Sequence, residues 1–240
     1  MKRLAILLLI LLIATTSWSK NKLPLIGDKA PSFKENTTNG VLNFPEDFGK
    51  SWKILFSHPL DFTPVCTSEL CELANYQKKF DSLDVKIAVV SIDEVERHQL
   101  WKDFMERILT DNSGPVEIEF PIVADLSGKV SKKYGMLHAS ANDTRDVRGV
   151  FIIDPDNIVQ VINFYPMNVG RNMDELFRTV AALQLTQNEN VLTPANWNPG
   201  DDVLVPHKPY TVEELKANPD LKNQYYNFGE YMWFKKLKKE

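Results

Sequence analysis

The sequence predicts an α/β protein with a mixed central sheet and a small C-terminal domain, and three observations carry that prediction. Apolar runs that read as strands alternate with amphipathic helical segments between Lys53 and Leu109. Two further apolar runs, Gly149 to Asp154 and Ile158 to Phe164, are separated only by Pro155-Asp156-Asn157, too few residues for a parallel crossover. After Leu185 the periodicity gives way to spaced prolines and aromatic residues.

Lys2 and Arg3 precede an unbroken apolar run from Leu4 to Ala14, followed by small and polar residues through Ser19. That run is too short to span a bilayer comfortably, so residues 1–19 read as a signal peptide and the protein as exported: secreted, in a secretory lumen or in a periplasm. Losing Lys2 and Arg3 moves the net charge from -4 to -6, which excludes a general nucleic-acid binder. The basic cluster Lys235, Lys236, Lys238 and Lys239 reads as a solvated tail. Two cysteines in an exported chain are too few for a disulfide scaffold and point to chemistry instead. Asn36 and Asn142 open glycosylation acceptor patterns, which count only in a eukaryotic source.

Gly27-Asp28 and Pro31 introduce a short segment around Phe33 that runs to the turn signal Asn39-Gly40. Lys53 to Ser57 is a strand, and Pro64 to Leu83 a helix whose Leu70, Leu73, Ala74, Gln77 and Phe80 share a face. Val85 to Ile92 is a buried strand, so this unit is a right-handed parallel crossover. A helix at Val95 to Leu109, a strand at Phe120 to Val123 and a short helix at Ser127 to Tyr134 follow. The two runs flanking Pro155-Asp156-Asn157 form an antiparallel hairpin, and Met173 to Leu185 a last helix. Parallel units closed by a hairpin make a thioredoxin-like fold over 23–185. Residues 186–240, with Trp197, Tyr210, Tyr225, Tyr226, Tyr231 and Trp233 among five prolines, read as a small domain that packs on the main one or on a partner subunit.

The residues that carry chemistry lie in His58-Pro59-Leu60-Asp61-Phe62-Thr63-Pro64-Val65-Cys66-Thr67. Pro64 suits the first helical position and Thr63 the cap before it. Cys66 then falls in the first turn, where unpaired backbone N–H groups and the helix dipole favour thiolate. A buried cysteine acting as a small hydrophobe is the alternative. The spacing of Pro59, Thr63 and Cys66 favours the nucleophile.

The pattern Pro59-x-x-x-Thr63-x-x-Cys66 resembles the active-site motif of the peroxiredoxins. The similarity widens to Ser51 through Pro59, Cys66 through Leu70, Val89 through Asp93, Tyr165-Pro166 with Gly170-Arg171-Asn172, and Thr193 through Trp197 with Pro199-Gly200-Asp201. These segments resemble the one-cysteine peroxiredoxin-6 subgroup from Leu23 onward. The resemblance implies that Cys66 attacks the O–O bond of a hydroperoxide and becomes a sulfenic acid, which an external thiol such as glutathione or a thioredoxin-like protein reduces. It assigns Pro59 to shielding the pocket, Thr63 to hydrogen-bonding sulfur and peroxide, and Arg148 to holding both, with Arg171 nearby and His58 placed to tune the cysteine. It also implies a homodimer. No metal cluster, phosphate-binding glycine loop or nucleotide fingerprint is visible, so no cofactor is expected.

Two departures from the subgroup stand out. Cys71 lies five residues after the nucleophile, where it is either a resolving cysteine or a buried filler. In an intact helix such residues sit about 8.7 Å apart at Cα, beyond the ~7 Å a disulfide tolerates, so resolution requires the first turns to unwind. The phospholipase site of some relatives is incomplete: Ser51 is present and Asp156 aligns with the acid, but Pro45 stands in the histidine's place. A serine without a base is a poor nucleophile, so no such activity is expected. A redox-sensing or chaperone-like binding protein on the same fold is the rival reading.

Overall fold

The main sheet joins two local hairpins to a parallel centre through long-range pairings. The computed structural model describes residues 23–113, 117–141 and 144–237; the expected signal peptide, residues 1–19, and Asn142 lie outside them. β1 (Phe33–Thr37) and β2 (Gly40–Phe44) form a hairpin in which Thr37 faces Gly40. The expected segment around Phe33 is thus two strands, its turn signal falling between them; Gly40, at φ 93°, supplies the left-handed backbone a tight turn needs.

After a 3-10 turn at Glu46–Phe48 come β3 (Trp52–Ser57), α1 (Pro64–Ser82), β4 (Val85–Ser91), α2 (Val95–Ser113), β5 (Ile122–Ala124) and α3 (Lys129–Lys133). β6 (Arg148–Ile153), β7 (Val159–Tyr165) and α4 (Met173–Asn188) complete the unit. The sheet runs β2-β1-β5-β4-β3-β6-β7, with β3, β4 and β5 parallel and β6 and β7 the predicted antiparallel hairpin. This is the thioredoxin-like mixed sheet.

Every residue of β3 is buried, because the sheet is covered on both faces. Ile54 and Phe56 face a core shared with Leu70, Leu73 and Phe80 of α1, Trp101 and Met105 of α2, and Leu176 and Val180 of α4. Leu55, one residue out of phase, faces a second core with Phe33, Phe44, Val90, Tyr134 and Phe151. The loop after β3 runs along the carboxyl end of β4, with the His58 N–H bonded to the Val90 carbonyl at 3.1 Å and the Asp61 N–H to Asp93 Oδ2 at 3.0 Å.

The C-terminal region contains a second sheet, β8 (Val203–Val205), β10 (Met232–Lys235) and β9 (Tyr225–Phe228), paired in that order. Short helices α5 (Val212–Ala217) and α6 (Leu221–Gln224) precede β9. Sequence periodicity did not reveal these strands, which are only three or four residues long. Val191, Trp197 and Val203 form a small core against Ala181, Ala182 and Leu185 of α4. Among the described residues no helix is long and apolar enough to cross a membrane.

Candidate active site

Pro64 starts α1 directly after Thr63, and Cys66 occupies its first turn, fully buried. The helix begins with the Thr67 N–H bonded to the Thr63 carbonyl at 2.9 Å. Thr63 caps through its backbone alone. Its Oγ1 donates to the Leu60 carbonyl at 2.9 Å, which corrects the expectation that this hydroxyl bonds the sulfur. A hydroxyl whose proton is spent within its own loop still offers lone pairs to an incoming O–H.

The sulfur's partner is Arg148, the first residue of β6, whose Nη1 donates to Cys66 Sγ at 3.3 Å. Arg148 also donates through Nε and Nη2 to the Met167 carbonyl and through Nη1 to Glu69 Oε2 at 2.6 Å. Close packing sets the identity of the next residue: a Cβ on Gly149 would lie 3.0 Å from Ser57 Oγ and 3.1 Å from the Phe164 ring.

Glu69 is the functional residue that sequence reasoning missed. Its carboxylate accepts from the Arg171 backbone N–H (2.7 Å), Arg171 Nε (2.9 Å) and Arg171 Nη2 (2.8 Å) in addition to Arg148. Arg171 donates its Nη1 to the Gly149 carbonyl and lays its guanidinium on the Phe56 ring. Burial would raise the Glu69 carboxyl, but Arg171 and then Arg148 outweigh it and hold it below the usual range. One buried carboxylate thus anchors two buried guanidiniums, leaving net positive charge beside the sulfur. The available signal was an acid three residues after Cys66, on the helix flank next to Leu70 and Leu73.

Pro59 is buried at the start of the loop. Phe62 holds φ 58°, a left-handed conformation that costs a non-glycine residue about 1–2 kcal/mol. Its ring rests near Trp101 and Phe104, with the Arg97 guanidinium 5.3 Å above it. Trp101 in turn donates Nε1 to Thr67 Oγ1 at 3.1 Å, so α2 braces the turn that holds Cys66.

His58 bonds Asp61 rather than the cysteine. Its Nε2 lies 2.8 Å from Asp61 Oδ1, its ring lies 4.9 Å from that of Trp101, and its Nδ1 has no partner. Burial draws the His58 imidazole below its ordinary value despite the Asp61 hydrogen bond, so the neutral Nε2–H form fits this network. Asp61 Oδ2 takes His98 Nδ1 at 2.7 Å, and His98 Nε2 meets the Val123 carbonyl at 3.2 Å. His58, Asp61 and His98 carry the donor types of a metal site, but each Asp61 oxygen is engaged by one histidine in a hydrogen-bonded network.

Burial would raise the Asp61 carboxyl, yet the hydrogen bonds from His58 and His98 prevail and hold it at about 2. A depressed carboxyl stabilises the fold above its unfolded value, and that gain is lost as pH falls through the folded one. Asp61→Asn is therefore expected to destabilise the protein by about 2 kcal/mol at pH 7. The deficit shrinks as pH approaches 2, as read from denaturant midpoints; a pH-independent deficit would contradict the linkage.

Cys71 is half-buried on α1, packed against the larger core, and unpaired like Cys66. Burial and then Glu72 push its thiol up. At the other end of β3, Ser51 donates to Asp84 at 2.7 Å and Asp156 pairs with Lys50 at 2.8 Å.

The comparisons agree with this geometry. The AhpC/TSA family matches residues 26–162, and the C-terminal domain of 1-Cys peroxiredoxin matches 182–218. A peroxiredoxin of Methanosarcina mazei is 48% identical over 81% of this chain and 89% of its own length. A yeast mitochondrial 1-Cys peroxiredoxin, solved in work on its thiol resolution through the glutathione and thioredoxin systems, is 37% identical. It superimposes with a TM-score of 0.77 over 90% of this chain and 100% of its own. Peroxiredoxin 6 of Arenicola marina, solved as a cysteine-to-serine variant, is 33% identical with the same TM-score, covering 90% of this chain and 99% of its own. The chain belongs to the AhpC/TSA family of peroxiredoxins and is a thiol-dependent peroxidase.

Proposed function

We propose that the protein reduces hydrogen peroxide and organic hydroperoxides through Cys66 in a one-cysteine cycle completed by an external thiol. The observation that carries this reading is the buried Arg148 Nη1 donor 3.3 Å from Cys66 Sγ in the first turn of α1. The thiolate attacks the terminal oxygen of ROOH; the S–O bond forms as the O–O bond breaks, and RO⁻ takes a proton to leave as ROH. Arg148 offers charge-assisted bonds to both sulfur and departing oxygen, where charge moves during the reaction. Thr63 Oγ1 accepts from the peroxide O–H, Pro59 keeps water from the sulfur, and Arg171 keeps Glu69 and Arg148 in place.

The sulfenic acid then condenses with an external thiol, releasing water, and a second thiol regenerates Cys66 as a disulfide leaves. Glutathione or a thioredoxin-like protein fits this step, as in the yeast relative. Cys71 is disfavoured as the resolving group because α1 is continuous through both cysteines and burial keeps its thiol protonated. A homodimer accords with the open edge of β7 and with the exposed Phe228 at the end of β9 and Tyr231 in the turn after it. The leader sequence supports export.

Intact-mass spectrometry after one equivalent of peroxide, with and without a sulfenic-acid trap, tests the cycle. The expected product gains one oxygen at Cys66, is captured by the trap, and leaves Cys71 free. Loss of two hydrogens mapped to a Cys66–Cys71 bond would replace the external thiol by self-resolution.

A further inference from the structure

The chain that delivers Arg148 to the sulfur also carries one of a pair of buried acids that the chemistry above does not use. Asp125, just after β5, and Asp146, two residues before Arg148, are both fully buried. Between them stands Ser131 of α3, its Oγ 2.8 Å from Asp125 Oδ2 and 3.0 Å from Asp146 Oδ2, while its backbone N–H donates to Asp125 Oδ2 at 2.7 Å. The Oδ1 atoms of both acids have no partner.

A hydroxyl carries one proton and cannot donate to two carboxylates at once. If both acids were ionised, one of the two short contacts that the hydroxyl makes would hold no proton and would set lone pairs against a carboxylate in a dry interior. The bonds close when Asp146 is itself a donor: Asp146 O–H to Ser131 Oγ, and Ser131 O–H to Asp125, which also receives the Ser131 N–H and is the ionised member. The charged groups that bear on Asp146 are Asp125 and, beyond β4, Asp93, both acids. Burial, opposed by the Ser131 hydrogen bond and reinforced by Asp125 and Asp93, pushes the Asp146 carboxyl up to about 7.

The segment that carries Asp146 is pinned residue by residue. The Val147 N–H donates to the Met136 carbonyl at 2.8 Å, and the Val147 carbonyl accepts from Ser57 Oγ at 2.7 Å. Ser57 Oγ also accepts from the Gly149 N–H at 2.8 Å. Arg148 stands inside this clamp, with the contact of Asp146 to Ser131 as the anchor on its N-terminal side.

We propose that Asp146 is a positioning residue for Arg148: in its neutral form it docks the start of β6 onto Ser131, and its ionisation breaks that dock and slows attack by Cys66. The enzyme thereby gains an alkaline limb that belongs to no group touching the peroxide. The proposal rests on the roles given above to Cys66 and Arg148.

The test is the single-turnover rate of sulfenate formation for the wild type and Asp146→Asn from about pH 5.5 to 8.5. Asparagine keeps the shape and the donor to Ser131 but cannot ionise. Because Cys66 is common to both proteins, the ratio of variant to wild type isolates Asp146. That ratio is expected to stay near one at the acid end and to rise to roughly 3- to 10-fold at the alkaline end; a ratio constant across the range overturns the proposal. A wild type whose Cys66 fails to react at any pH would instead remove the peroxidase reading beneath it. Should Asp146→Asn fail to fold, infrared spectra of the intact wild type decide. A protonated-carboxyl carbonyl band that fades as pH rises through about 7 supports the neutral acid, and its absence at lower pH refutes it.

Discussion

Cys66→Ser is expected to abolish peroxide turnover with any thiol donor, a loss of at least about 10³-fold, while leaving the fold in place. The alcohol does not ionise at neutral pH, so no anion meets the peroxide oxygen however well Arg148 is set. The serine Oγ can still accept the bond that Arg148 Nη1 now gives to sulfur, so stability should change by no more than about 1–2 kcal/mol. Turnover assays and thermal unfolding on the same preparation check both halves. Residual turnover at the wild-type rate would move the chemistry to Cys71 and sink the mechanism. The substitution also separates the peroxidase from the chaperone-like reading, since binding of unfolded clients would survive it.

Glu69→Ala carries the second-largest expected effect, and it falls on stability and activity together. Removing this carboxylate leaves two guanidiniums, each almost wholly buried, without their shared counter-ion. Stripping one partner from a buried ion pair costs about 3–5 kcal/mol, a large part of the 5–15 kcal/mol that holds a typical domain folded. Arg148 would keep its bonds to Met167 but lose its lateral restraint, and a displacement of about 1 Å at such a site lowers rates by roughly 10²-fold. Denaturant midpoints and the rate of sulfenate formation measure the two effects. Glu69→Gln keeps the volume and some hydrogen bonds and should fall between wild type and alanine; an alanine variant within 1 kcal/mol of the wild type would show that the arginines hold themselves.

What could be read from the chain follows the range of the interactions involved. The helix start at Pro64, the crossover into β4 and the hairpin around Pro155-Asp156-Asn157 are local in sequence, so spacing and turn chemistry revealed them. Cys66 was legible because its place in the first helical turn combines with the spacing of Pro59 and Thr63 before it. Arg148 was not: Arg145 is as plausible from the residues, and the resemblance was needed to choose between them. The Asp61–His98 contact joins a loop to a helix 37 residues later, and no local pattern announces it. Asp146, Ser131 and Asp125 are polar residues in ordinary loop and helix positions until the fold brings them together out of water. Thr63 marks a subtler limit. Its place before the helix was plain, but the direction of one hydroxyl depends on how the loop from Pro59 folds back on itself.

The complete burial of Cys66 treats the two halves of the cycle unequally. A hydroperoxide is small enough to slip in during brief side-chain fluctuations, whereas a thiol reductant must bring its own sulfur into line with a group that shows no surface. Recycling is then expected to depend on how often the pocket around Cys66 opens, and less on reductant supply. Oxidation is therefore expected to track peroxide concentration while recovery levels off as thiol is added, leaving the protein oxidised after a pulse of peroxide for an interval set by how rarely Cys66 is exposed.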